Sequence, residues 1–259
     1  MTFHIPRLAA NIERRLLINY RLDPAIAQSL LPPSLRPQLV NGSAVAGVCL
    51  IRLGALRPAW FGPALGWGAE NAAHRIAVEW DTGSGVQSGV YVPIRHSASW
   101  VPVAVGGRLF PGVHHHATFA TVETHEVEGD LIEVTLDAPD AHVRTAVRVT
   151  KDWQSLLFET MDAASAFFQS GAVGWSPSRN GSELEGLELA TTQWRVEAGA
   201  AQQVESSFFD ALPAGAAELD CVLVMRGVPV TWSIPRVAQP SRRPVREDSG
   251  RSPTSLTQQ

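Results

Sequence analysis

Along most of the chain apolar and polar positions alternate with a period of two, interrupted by a few stretches of helical period. "RRLLINYRLD" (14–23) reads as a strand ending at Asp23, which can cap a helix opened by Pro24 in "PAIAQSLL", and "LPPSLRP" then stops that helix. "QLVNGSAVAGVCLIRL" predicts a hairpin turning at Asn41 and Gly42 with a long second arm. A loop rich in glycine, proline and tryptophan follows, then a second hairpin around "DTGSG" and a short helix within "SASWVPVAVGGRLF". Further strands are predicted at 114–124, 131–137 and 142–150. After Lys151, "DWQSLLFETMDAASAFFQSG" has apolar residues at helical spacing and ends on Gly171, a C-cap residue. "LEGLELATTQWRVE" and "ELDCVLVMRGVPVTWS" read as strands joined through "SSFFDALPAG".

Hairpin spacing without regular strand–helix alternation argues against a doubly wound parallel sheet. The expected class is α+β: mainly antiparallel β, a curved sheet or closed barrel with a few flanking helices, of the kind that holds a small ligand inside. Residues 1–235 read as a single domain. The stretch 236–259, rich in Pro, Ser, Gln and Arg and nearly free of bulky apolar residues, reads as a disordered basic tail.

Composition narrows the function classes. With 45% hydrophobic and 18% charged residues the chain has ordinary globular composition, and it contains no run of about eighteen apolar residues that would span a membrane. The net charge is −4, but the segment from Arg236 holds five arginines, so the remainder has 16 basic residues against 23 acidic ones. That balance argues against a nucleic-acid surface. Cys49 and Cys221 lie in apolar segments, as free thiols do, and the start lacks the features of a secretion signal, so the expectation is a reduced, cytoplasmic protein. "GSGVQSG" lacks the Lys-Ser/Thr of a phosphate loop, and neither a G-x-S-x-G elbow nor a Cys-x-x-Cys pair occurs, so no cofactor is expected. The anticipated partner is a small molecule, and a homo-oligomer is compatible with the sequence.

Several strings resemble known families. "RRLLINYRLDPAIAQSLLPPSLRP", "LGWGAENAAHRIAV" and "AVGGRLFPGVHHH" resemble segments of the acetoacetate decarboxylases. The second of these ends, in that family, in a pocket glutamate matched by Glu70, and the third in two adjacent lysines, one of which forms a Schiff base. A closer resemblance, over about residues 10–235, is to the YqjF-like family of unknown function in the same superfamily, carried by "LLPPSLRP", "GRLFPG", "FFQSGAVGWSP", "LEGLELATTQWRVE", "SSFFD" and "LDCVLVMRGVPVTW". The resemblance implies an acetoacetate decarboxylase-like fold and a pocket, but no reaction. An imine mechanism needs an amine of lowered pKa, and the chain has a single lysine, Lys151, away from the lysine-pair segment. Aligned on the Phe-Pro pair, the lysine positions become Gly112 and Val113; read without a gap, they become His114 and His115.

Three adjacent histidines open the strand at 114. Alternation puts His115 on the face of Ala117 and Phe119, read as the interior, with His114 and His116 on the other. His115 is therefore the candidate pocket histidine, able to pass a proton near neutrality, or else a hydrogen-bonded core residue. Glu70, in a loop of Gly and Trp, is the candidate partner acid or base, or else a surface glutamate. Arg108 is placed to hold a carboxylate, one of His74 and Arg75 faces inward, and Trp67, Trp100, Trp175 and Trp194 either line a cavity or pack the core. His114 and His116 have the spacing of two strand-borne zinc ligands and need a third from elsewhere; His74, His96, His125 and His142 are too scattered in sequence to nominate. Three readings follow: lysine-independent acid/base chemistry on a small carboxylate or carbonyl compound, a non-catalytic binding protein for an apolar metabolite, and a zinc-dependent hydrolase or lyase.

Overall fold

The computed structural model describes residues 7–62, 66–105 and 111–240. In chain order the elements are β1 (Leu8–Leu22), α1 (Pro24–Ser29), β2 (Arg36–Pro37), β3 (Leu39–Val40), β4 (Ser43–Pro58), β5 (Trp67–Thr82), β6 (Gly85–Ser97), α2 (Trp100–Val105), β7 (His114–His116), β8 (Thr118–Thr124), β9 (Leu131–Ala138), β10 (Ala141–Thr150), α3 (Met161–Ser170), β11 (Val173–Pro177), β12 (Leu184–Ala190), β13 (Glu197–Ser206), α4 (Ser207–Asp210) and β14 (Ala217–Ser233).

Local chemistry accounts for the boundaries. Asp23 caps α1 by accepting from the backbone N–H groups of Ala25 (2.8 Å) and Ile26 (3.0 Å), with Pro24 supplying a first turn that needs no donor. Asn41 and Gly42 both have positive φ, 48° and 81°, as the two-residue turn joining β3 to β4 requires. α3 is shorter than the pattern predicts. It starts at Met161, where the Thr160 hydroxyl accepts from Ala163 N–H, and not just after Lys151. Upstream, Ser155 Oγ accepts from the N–H groups of Leu157 and Phe158, while Asp220 accepts from Leu156 N–H. Those side chains take the backbone donors that a helix would have used.

Seven strands close a ring in the order β1-β4-β5-β6-β11-β12-β14, with β14 pairing back to β1 along almost its whole length. Neighbours are antiparallel except β6 with β11, and β7, which adds in parallel to β6. From β14 the sheet also continues through β13, β10, β9 and β8. The long central strands are therefore buried on both faces, which explains unbroken apolar runs such as Leu16-Leu17-Ile18. One face carries the largest core cluster, where Leu16, Ile18, Ala46, Val48, Ile76 and Val78 meet Ile132, Val134, Leu136 and Val143 from β9 and β10. Each fully buried Leu or Ile contributes about 1.5–3 kcal/mol there. The other face faces the inside of the ring, where Leu17, Cys49, Ala77 and Leu223 pack with Phe158 and Phe168. No helix among the described residues is long and apolar enough to cross a membrane.

Candidate functional site

The ring encloses a cavity of about 210 Å³ to which every one of its seven strands contributes. Its walls are mostly aliphatic and aromatic, with Ile51, Leu53, Leu187, Leu189, Trp194 and Trp232 prominent. Against that background stand Arg15, Arg75, Arg95, Asn71, Cys49, His96 and His114.

Strand alternation places these groups. On β5, Asn71, Ala73 and Arg75 line the cavity. Of the pair His74 and Arg75, the inward residue is therefore Arg75, 4% exposed. Its Nη2 donates to Asn19 Oδ1, its guanidinium lies 4.7 Å above the Phe168 ring, and its Nε has no partner. Arg15 donates from Nε to Cys49 Sγ at 3.1 Å, and Arg95 from Nε to Ser176 Oγ at 3.1 Å. None of the three arginines meets a carboxylate among the described residues, and the cavity lining includes no Asp or Glu. Burial holds Arg75 and Arg95 down at about 10, which leaves both charged at neutral pH.

His114 and His96, and not His115, are the histidines that line the cavity. Ala117 and Phe119 belong to the core cluster shared with β9 and β10, but His115, grouped with them by alternation, is exposed. The interior that alternation selects is that core; the ring cavity lies on the opposite face. In the parallel register of β6 and β7, Arg95 is opposite His114 and His96 is opposite His115. His114 Nδ1 lies 3.3 Å from Gly112 O. Burial, then the nearby Arg95 charge, push its pKa down to about 3. His115 points instead to Asp140, with Nδ1 2.5 Å from Oδ2.

The other residues nominated from sequence fall in separate places. Glu70 faces away from the cavity and pairs with Arg14 at 2.6 Å, in a network that includes Glu123 at 2.9 Å from Arg14. It is thus neither a loop residue nor a neighbour of His115, and the two do not form an acid–base pair. His74 is fully buried in the main core, with Nε2 3.2 Å from Ser206 Oγ and its ring 4.8 Å from Phe208. Burial, then nearby His96, lower its pKa to about 4. Trp67 is part-buried against the apolar cluster of Leu8, Leu53 and Leu56. His116 stacks on Trp100 at 4.0 Å, away from His114, so these two do not converge on a metal. Trp175 packs edge-on against Trp80, leaving Trp194 as the nominated tryptophan that lines the cavity. Arg108 lies outside the described residues. Arg15, Arg95, Asn71 and His96 were missed from sequence; the register between strands, which brings them together, has no local signal.

The two depressed histidines make stability depend on pH. Each binds its proton less readily folded than unfolded, so their contribution is complete above about pH 6.5. It is lost as pH falls toward about 4 for His74 and about 3 for His114. A loss of about 2 kcal/mol per histidine is expected between pH 7 and pH 5. Urea unfolding of the wild type and of His114→Asn across this window checks it: the variant should lose less stability on acidification, and coincident curves would refute a buried neutral His114.

The fold has solved counterparts. An acetoacetate decarboxylase-like enzyme from Sphingomonas wittichii RW1 matches at a TM-score of 0.57 and 18% identity, covering 90% of this chain and 92% of that one. Acetoacetate decarboxylase from Legionella pneumophila matches at 0.57 and 15%, covering 88% and 85%. The enduracididine biosynthesis enzyme MppR complexed with pyruvate matches at 0.55 and 14%, covering 90% of each. Among curated proteins none matches. A family model, DUF2071, described as an uncharacterized conserved protein, matches residues 9–229. Since that match takes in most of the sequence and the solved counterparts share its architecture, the chain belongs to the DUF2071 family and has an acetoacetate decarboxylase-like fold.

Proposed function

We propose that the ring cavity binds a small carboxylate, including acids that carry a carbonyl, and that His114 exchanges a proton with it. The observation that carries this reading is the set of three arginines facing one cavity without an acidic partner among the described residues. A buried unpaired cation costs several kcal/mol, and a carboxylate accepting from a guanidinium fork would offset that cost. The aliphatic wall opposite suits a short hydrocarbon portion. An uncharged apolar metabolite, the rival ligand for a non-catalytic binding protein, would leave all three cations unpaired.

The pyruvate in MppR and the activity named for the Legionella enzyme are properties of those proteins; for this chain they favour a carbonyl acid as the first ligand to try. The imine route is disfavoured, because Lys151 is exposed just beyond β10 and no other lysine occurs. Proton transfer would fall to His114. Donating from Nδ1 to Gly112 O leaves the Nε2 lone pair for the ligand. In the free protein the imidazole is a weak base because of burial and Arg95. An anion beside Arg95 would cancel part of that field, so binding would itself raise the basicity of the catalytic group.

Calorimetric titration with acetoacetate, pyruvate and succinate, set against acetone and methyl acetate, tests the ligand class. The acids should bind and the neutral analogues should not; equal binding of both would overturn the reading. In parallel, the His114 ring signal followed by NMR should titrate at least one unit higher in the presence of the bound acid. Deuterium exchange at the carbon next to the ligand carbonyl separates catalysis from binding. Exchange accelerated by wild type but not by His114→Asn is expected, and its absence in wild type would remove the proton-transfer step while leaving the anion site.

A further inference from the structure

We infer that His96, His115 and Asp140 form a binding site for a first-row divalent cation, zinc foremost, beside the cavity, whose lining His96 joins. The site shares His96 with the cavity lining, while His115 and Asp140 are not part of that lining.

Three backbone segments bring it together. The parallel pairing of β6 and β7 sets His96 opposite His115, with the ring centres 5.7 Å apart and nearly perpendicular. Asp140 comes from the short turn between β9 and β10, and inserts its carboxylate between the rings. Oδ1 lies 3.1 Å from His96 Nε2 and Oδ2 lies 2.5 Å from His115 Nδ1. The donor atoms of all three lie within 4.8 Å of one another. A tetrahedral zinc with ligands at about 2.0–2.1 Å holds its donors roughly 3.3 Å apart. Zinc binding would require the wider donor separations, up to 4.8 Å, to contract toward that spacing.

The donor set decides the ion class. Two imidazole nitrogens with one carboxylate oxygen suit zinc and its first-row neighbours, whereas magnesium and calcium favour all-oxygen sites. His96 is fully buried and fixes one side of the site. The side chains of His115 and Asp140 are part-exposed, which provides an entry path and leaves coordination positions for water. The remaining nitrogen of His96 is buried without an acceptor among the described residues. A zinc site normally has a hydrogen bond there, and its loss typically costs 10–100-fold in affinity, so a moderate affinity is expected. Without a cation, the same three residues make a hydrogen-bonded clamp, and the experiment has to tell the two apart.

The full chain, stripped with chelator, is titrated with Zn²⁺ by calorimetry and with Co²⁺ by visible absorption, alongside Asp140→Asn, His115→Ala and, as a surface control, His142→Ala. His142 pairs with Asp137 elsewhere on the exterior. Expected results are one equivalent of Zn²⁺ and a Co²⁺ absorption band of tetrahedral or five-coordinate type. Affinity should fall at least 10-fold in the Asp140 and His115 variants and stay unchanged in the His142 variant. Absence of binding up to millimolar Zn²⁺, or binding that survives both Asp140→Asn and His115→Ala, overturns the site.

Discussion

Arg14→Met is expected to lower stability by about 3–5 kcal/mol, which is the range for removing one partner of a buried ion pair. For a chain of this size that corresponds to a fall in unfolding midpoint of about 6–10 °C. Arg14 is 1% exposed and donates to Glu70 at 2.6 Å and to Glu123 at 2.9 Å. Glu123 is exposed enough to regain water, but the Glu70 side chain is only 14% exposed. Once Arg14 is gone, Glu70 keeps a 3.4 Å contact from Thr121 Oγ and a distant pairing with Arg52 at 3.8 Å. The stranded carboxylate, more than the lost attraction, is the source of the cost. The double variant Arg14→Met with Glu70→Leu should therefore recover most of the loss; recovery of less than half would mean that packing and not charge is responsible. The same network defines the role of Glu70. Because it faces the second layer of the sheet, Glu70→Gln should leave ligand affinity in the ring cavity unchanged while it weakens the fold.

The opposite balance is expected for Arg75→Met: ligand affinity should fall by about 30-fold or more, while the unliganded protein keeps its stability to within about 1–2 kcal/mol. Two effects on stability oppose each other. Removing a buried cation that has no counter-ion is favourable, and methionine fills much of the same volume against Phe168. Against this, Asn19 Oδ1 loses the donor it has in Arg75, although Asn19 Nδ2 still donates to Leu17 O at 3.0 Å and Cys221 O at 3.1 Å. Binding has no such compensation, since the carboxylate would lose one of three guanidinium groups in a poorly hydrated cavity. Calorimetry on the best-binding acid and urea unfolding of the same samples provide the two readouts. A variant that binds as wild type does, but unfolds several kcal/mol more readily, would make Arg75 a structural residue and leave Arg15 and Arg95 to carry the site.

The particulars show where sequence reasoning reaches its end. Asp23 followed by Pro24, Asn41 with Gly42, and Gly171 are local signals that act within a few bonds, and each marks a boundary in the structure. The helix over 152–160 did not form, because Asp220, remote in sequence, joins Ser155 in taking the backbone donors. The candidate site was legible in part. Arg75 was one of two alternatives, and the histidine run was recognised, but the residue chosen from it was the neighbour of the one that lines the cavity.

Alternation, caps and turn residues in the sequence by themselves determined the class of fold and its mainly antiparallel strands. Tertiary structure alone decided which face of each strand looks into the ring cavity and which packs against β9 and β10. The physical reason is that alternation labels two faces without ranking them, and in a sheet buried on both sides each face is apolar enough to be taken for the interior. It also decided the partners, bringing Arg15, Arg75, Arg95 and His114 together in the cavity lining and joining His96, which also lines it, to His115 and Asp140, because strand register and ring closure act between residues far apart in the chain.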